Sequence, residues 1–428
     1  RRTATFPKRN GRKKRKNRRK EKEKRKMNNE KIVREPLFHV TKRTEISVKR
    51  QILARVIAFL TGLFVCCVIC AICYKEKGNP WVVITSLFKG SFGTERKRWL
   101  LLQNTALLLG VGCALIPAFK MKFWNLGGNG QVLIGALVTI ACMRNYGGRM
   151  PDAVVWLIML VSAVLCGALW AAIPAVFKAF FKTNESLFTL MMNYIASGLV
   201  VYFIKEWSGP FASGSLATVK VAHLPQIGGN DFLLIIIVAA LMCAAMFVYM
   251  KYTKHGFEAS VVGESENTAR YIGINVKKTI IRTLALSGAL CGLIGFLIAG
   301  AMDHTVSSET AQNLGFTAII AVWIAKMNPL CAIASSFGII FMTQGMAELQ
   351  TVVQVSDSSV ANMIVGIMYF CIIGCEFFVY YAFNIRKKKV LSGDVAENDK
   401  AEKVETETSG TENLKEDGGE AKKEDEKC

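Results

Sequence analysis

"FWNLGGNGQ", residues 123–131, lies between "LLLGVGCALIPAFK" (107–120) and "VLIGALVTIAC" (132–142), two runs apolar enough to sit in a bilayer. A helix rising 1.5 Å per residue needs about 20 apolar residues to cross roughly 30 Å of hydrocarbon. Into that setting the chain places three Gly, two Asn and one Gln. Glycine permits tight turns and close helix approach, and the amides bring neutral donors and acceptors. The stretch therefore marks an interruption in a membrane helix. It serves either to pack helices or to line a path for an uncharged polar ligand, and the residues in isolation support both.

Working outward, hydrophobic residues make up 52% of the 428 positions and the mean hydropathy is positive, which places the chain in the membrane class. Apolar segments recur at 55–74, 99–118, 124–143, 153–177, 184–204, 231–250, 281–301, 314–327, 329–346 and 359–381. The expected fold is all-α and polytopic, with about ten spans in a domain over 55–383 and both termini on one side. Short-loop Lys and Arg put that side in the cytoplasm. Lys120, Lys122, Lys178, Lys182, Lys251, Lys254, Arg270, Lys277 and Lys278 would be inside, whereas 302–312 and 347–358 carry no Lys or Arg. Residues 75–98 break this rule with six basic residues; within them "NPWVVITSLFKGSFG" is too short to cross and reads as an outer amphipathic segment.

The formal charge of +22 is concentrated at the start, where residues 1–54 hold 22 Lys and Arg against 5 acids. This reads as a basic cytoplasmic tail. Residues 1–26, which precede the first Met, Met27, have the composition of a translated purine-rich leader and are expected not to be made. Nucleic-acid binding is not expected. Residues 384–428 form an acidic tail too poor in apolar residues to fold, and are expected to be disordered.

Twelve of the 13 Cys fall in apolar windows, where Cys acts as a small hydrophobe. "CCVICAIC" (66–73) has cluster-like spacing but no polar second shell, so no metal is expected. "MDHTVSSET" (302–310) holds Asp303, His304, Ser307 and Glu309, yet sequence neighbours seldom converge as a catalytic set; a solvated loop or an outer gate is the expectation.

Three further stretches carry the argument. "TNESLFTLMMNYIA" (183–196) opens with capping residues and places Asn193 well inside a span, where its amide needs a partner or a wet path. The segment 251–280 is the longest cytoplasmic connection, and its centre "ESENTARYIGI" fits a short helix ended by Gly273, either as a contact surface or as a linker. The segment 314–327 is short and stops at Asn328-Pro329, so it is interrupted like the one at 123. Paired interrupted helices point to a midplane binding site in a transporter.

Taken together these stretches resemble the permease subunits of bacterial ABC importers, in the branch similar to nucleoside and simple-sugar permeases and more distantly to branched-chain amino-acid permeases. "FWNLGGNGQVLIGAL" is similar to an FNIGAEGQ-like segment and "TNESLFTLMMNYIASGLV" to an NEVxxTLMLNYIA-like helix. "VVGESENTARYIGI" resembles a GxNxxAARYAGI-like loop and "LGFTAIIAVWIAKMNPL" a GFxGIAVALLGxxxP-like segment. The outer amphipathic stretch matches as well, so the resemblance runs from about Asn79 to Phe383.

The resemblance implies a permease that is not itself an enzyme. ATP and Mg would be bound by a partner ATPase, a second permease would complete the pore, and an extracellular lipoprotein would deliver the solute. Asn125, Gly127, Asn129, Gln131 and Asn193 are the expected solute path. Gly263, Ala269, Arg270, Tyr271, Gly273 and Ile274 are the expected ATPase-coupling residues. The expected solute is a nucleoside, with a monosaccharide or other small metabolite as the alternative and an ion-coupled carrier behind both. Gly128-Asn129 stands where Ala-Glu is usual, Ser265 and Thr268 replace Asn and Ala, and Trp323 and Lys326 replace small or apolar residues.

Overall fold

The structure is a computed structural model. It describes residues 80–209 and 214–353 continuously, the segments 38–42 and 381–385, and separate helical positions within 53–68 and 363–377. The chain divides into two units, 47–379 and the terminal stretches 1–46 with 380–428. In the terminal unit β1 (Phe38–Lys42) pairs antiparallel with β2 (Tyr381–Ile385), Phe38 opposite Ile385. This ladder adds a strand pair to the all-α expectation. "FHVTK" and "YAFNI" carry the β-branched and aromatic residues that strands favour. The expectation for residues 1–26 lies outside the described residues, as does that for the acidic tail 384–428 from residue 386 on; its first two residues, Asn384 and Ile385, belong instead to β2.

Among the described residues of the larger unit every extended regular element is a helix, beside two isolated bridges, Ser215 with Ser307 and Ile227 with Asn230. In order come α1 (Pro80–Phe92), α2 (Glu95–Lys120), α3 (Gly128–Tyr146), α4 (Asp152–Phe181), α5 (Glu185–Ser208) and α6 (Leu233–Tyr252). Then follow α7 (Lys254–Glu264), α8 (Glu266–Tyr271), α9 (Val276–Leu297) with a π-helical turn at Ile298–Asp303, α10 (Leu314–Ile324) and α11 (Pro329–Val353). Helices stand at eight of the ten apolar segments. The other two, 55–74 and 359–381, lie mostly outside the described residues, beyond scattered helical positions. Six helices are long and apolar enough to cross a membrane among the described residues. α3 is not one of them, because its first turn is the polar "GNGQ", yet it is buried almost end to end.

Burial sorts the helices. α2 is enclosed from Thr105 to Phe119 and forms the centre with α3 and α9. α4 instead buries one stripe, Val155, Met159, Ala163, Gly167 and Ala171, at the four-residue spacing of a helix face. Its opposite face exposes Leu157, Val161, Leu165 and Leu169. A helix apolar on both faces, with its small residues turned inward, is suited to lipid on one side and protein on the other. The seam to α9 is backbone on backbone: a Cβ at Gly288 or Gly292 would collide with the α4 backbone at Gly167 or Ala163.

The amphipathic stretch forms α1 and lies on α11, with Phe88 edge-on to Phe341 at 5.7 Å and Trp81 exposed. Lys97 and Glu348, 2.7 Å apart, tie the start of α2 to α11.

Candidate functional site: an amide clasp between interrupted helices

α2 ends at Lys120 and the chain turns through Lys122, which sits in the left-handed region at φ 57°. Residues 123–126 then form no helix. Backbone buried in such a setting must find partners, because lipid offers none. The side chains singled out in the sequence supply them. Asn125 is fully buried. Its Oδ1 accepts from Gly127 N at 3.0 Å and from Gln131 Nε2 at 3.3 Å, and its Nδ2 donates to Ser287 Oγ of α9 at 3.3 Å. From α5, Asn193 Nδ2 donates to Leu126 O and its Oδ1 accepts from Gly130 N, both at 2.8 Å. Thr189, one turn earlier on the same face, accepts from Leu126 N at 3.1 Å.

α10 closes the cluster. Gly315 N donates to Asn129 Oδ1 at 2.6 Å, and Asn129 Nδ2 donates to Asn313 Oδ1 at 3.2 Å. A side chain at Gly315 has no room, since its Cβ would stand 2.9 Å from the Gly128 carbonyl carbon. The starts of α3 and α10 thus meet with an amide oxygen between them, where two partly positive helix ends would otherwise face each other. The interrupted segments also meet through Trp124 and Trp323, stacked with centroids 5.3 Å apart. At the far end of α10, Lys326 and Met327 adopt positive φ and Asn328 Oδ1 caps α11 by accepting from Leu330 N at 3.1 Å.

All five predicted path residues therefore fall in one cluster. The sequence did not single out Thr189, Ser287, Asn313, Gly315 or Trp124. Thr189 could have been found from its four-residue spacing to Asn193, and Asn313 from its place just before an apolar helix. Ser287, on a remote span, gave no signal. Two buried polar atoms near here have no partner among the described residues, Gln131 Oε1 and Thr283 Oγ1.

The predicted coupling residues form a second group. The stretch 251–280 is mostly ordered as α7 and α8. Ser265 caps α8 by accepting from Thr268 N at 3.2 Å. Ala269 is buried, Arg270 pairs with Glu266 at 3.5 Å, and Tyr271 is 94% exposed. Gly273 turns the chain at φ 85°, letting Ile274 N donate to Ala269 O at 2.9 Å. A hydrogen bond from Arg282, 2.8 Å away, holds the Glu258 carboxyl below its ordinary range and anchors α7 to α9. Gly263 packs on the backbone of Lys120 and Met121. The coupling stretch thus abuts the turn that leads into the clasp. Beside this contact lies a cavity of about 290 Å³ lined by Lys122, Phe123, Lys178, Glu185, Glu264 and Glu266 among others.

The Asp303–Glu309 region does not assemble a hydrolase site. Ser307 Oγ accepts from Glu309 N at 3.2 Å, whereas His304 stacks face to face on His223 at 3.8 Å. Burial and the neighbouring His223 hold the His304 imidazole below its ordinary pKa, against a smaller opposing pull from Asp231. Among the described residues no three His, Cys, Asp or Glu side chains cluster as a metal site.

Residues 96–373 match the family described as "Branched-chain amino acid transport system / permease component". The guanosine ABC transporter permease protein NupP of Bacillus subtilis is 30% identical over 227 residues, covering 51% of this chain and 64% of that relative. The nucleoside ABC transporter permease protein NupB of Lactococcus lactis is 25% identical over 347 residues, covering 76% and 92%. The glucose ABC transporter permease protein TsgB13 of Haloferax volcanii is 26% identical over 305 residues, covering 67% and 78%.

Proposed function

Because this chain belongs to the permease-component family of branched-chain amino acid transport systems, and is a multi-pass membrane protein and a transport subunit, we propose that it carries a nucleoside into the cell within an ATP-binding cassette importer. The observation that carries the reading is the clasp. Two interrupted helices meet through neutral amides, and no ionisable side chain takes part. An uncharged solute rich in donors and acceptors can exchange with such bonds at little cost, whereas a charged one would need a buried counter-charge. Guanosine and nucleoside permeases among the relatives favour a nucleoside. The glucose permease keeps a monosaccharide as the second reading.

In this scheme Asn125, Gly127, Asn129, Gln131 and Asn193 border the path. Asn125, Asn129 and Asn193 hold the interrupted backbone, and Gln131 Oε1, buried and without a partner among the described residues, is the acceptor a solute would engage once the clasp parts. ATP and Mg are bound and hydrolysed by a cytoplasmic partner, a second permease completes the pore, and a lipoprotein delivers solute from outside. The termini and α7–α8 lie on the cytoplasmic side. Tyr271 and Arg270 are the surface presented to the ATPase, with Gly263, Ala269, Gly273 and Ile274 shaping it. Its two nucleotide states would bind that surface differently and so bias the inward and outward openings. The Gly263 contact with Lys120 and Met121 gives that bias a short route to residues 123–131.

Uptake of labelled guanosine by cells carrying the whole transporter tests the reading. Gln131→Ala is expected to lower uptake or change solute preference, and the double variant Arg270→Ala, Tyr271→Ala to abolish uptake without loss of the protein from the membrane. Unchanged uptake in both removes the site assignment.

A further inference from the structure

Trp124 and Trp323 stand where the two interrupted segments come together. Trp124 is held in place, its carbonyl accepting from Thr189 Oγ1 at 3.4 Å and its ring met edge-on by Phe119 at 6.0 Å. Trp323 reaches it from the last turn of α10 with the two rings inclined by 25°. An indole used only for packing is normally covered and its N–H satisfied. These two are 44% and 40% exposed, although Asn125, next to Trp124, is fully buried. Neither indole N–H has a partner among the described residues.

Two half-exposed indoles stacked on one another, one from each interrupted segment and each with an N–H donor, match a particular chemistry. An aromatic ring can lie against an indole whatever its substituents, and its ring nitrogens or carbonyls can accept from the N–H groups. We propose that Trp124 and Trp323 form a stacking platform that engages the planar heteroaromatic ring of the solute as it passes the α2–α3 turn. The platform would separate base-bearing solutes from bare sugars, which the neutral amides of the clasp alone do poorly. The inference rests on the transport reading above and deepens it by naming the part of the solute that is recognised.

The test uses the complete transporter in lipid nanodiscs. Tryptophan emission is expected to be quenched saturably by guanosine and not by ribose, and the quenching to disappear in the double variant W124F, W323F. Uptake of guanosine is expected to fall about ten-fold in W323L, which keeps apolar bulk without a π face, and to stay within about two-fold in W323F. ATP hydrolysis stimulated by the lipoprotein is expected to persist in W323L. Equal quenching by ribose, quenching that survives in the double variant, uptake unchanged in W323L, or uptake and hydrolysis falling together overturns the platform alone. Transport of bare sugars with no uptake of any nucleoside overturns it together with the nucleoside reading. Should W323L not assemble, the emission measurements on the unmodified and double-variant proteins decide.

Discussion

α3 touches its neighbours in two different ways. Along its length it meets α9 backbone to backbone, Gly135 against Gly292 and Ala136 against Gly295. At its first turn it meets α5 and α10 through the amides of Asn193 and Asn129. The seam is held by dispersion between surfaces with no side chains to adjust, so any separation opens a void and any added atom collides. The clasp is held by directional bonds between neutral groups, each of which another polar partner can replace. The difference identifies the seam as the fixed part of the molecule and the clasp as the part that can change partners.

The largest effect is expected at the seam. Gly292→Val would drive its branches into the α4 backbone at Ala163 and cost about 3 kcal/mol or more; thermal unfolding in detergent should show a large drop or no folded protein. At the clasp, Asn193→Ala would leave Leu126 O and Gly130 N buried without partners. A cost of about 2 kcal/mol follows, with folded protein still recovered, and comparing its melting temperature with that of Gly292→Val measures how unlike the two contacts are. Equal losses would erase the distinction.

A smaller effect belongs to the Lys97–Glu348 pair, partly exposed at 2.7 Å. Lys97→Ala is expected to cost under about 1 kcal/mol and to lose even that at high salt. The His223–His304 stack sharpens the comparison through pH. His304 takes up a proton less readily in the folded chain than free histidine does, so near pH 6 the unfolded chain binds more protons. Stability therefore falls as pH drops below about 6.5. Melting temperatures at pH 7.5 and 5.5 check this, and His223→Phe should narrow the gap between them.

Much of this was legible in the residues. Apolar runs gave the helices because hydrocarbon length and helix rise are fixed quantities, and α2, α4, α5, α6 and α9 lie within a few residues of their expected places. "GGNGQ" and Asn193 were legible as polar groups in need of partners, since an unsatisfied amide in such surroundings is costly. The segment at 251–280 was read as one short helix in a connection. It forms two, because Thr253 and Ser265 each cap a first turn by accepting from Gly256 N and Thr268 N.

Partner identity was not legible. Nothing in the spacing ties Asn125 to Ser287, 162 residues away, or Asn129 to Gly315, 186 residues away. Trp323 stood out only as a departure from the family's pattern, and Trp124 not at all, until the fold stacked them. The amino-acid sequence by itself determined the membrane class, the places where helices break and the family, because these rest on local hydropathy, backbone permissiveness and ordered motifs. Only the tertiary structure decided which broken ends meet, which amides are already engaged and which two indoles stack while staying half-exposed. Those depend on contacts between residues far apart in the chain, which no local pattern encodes.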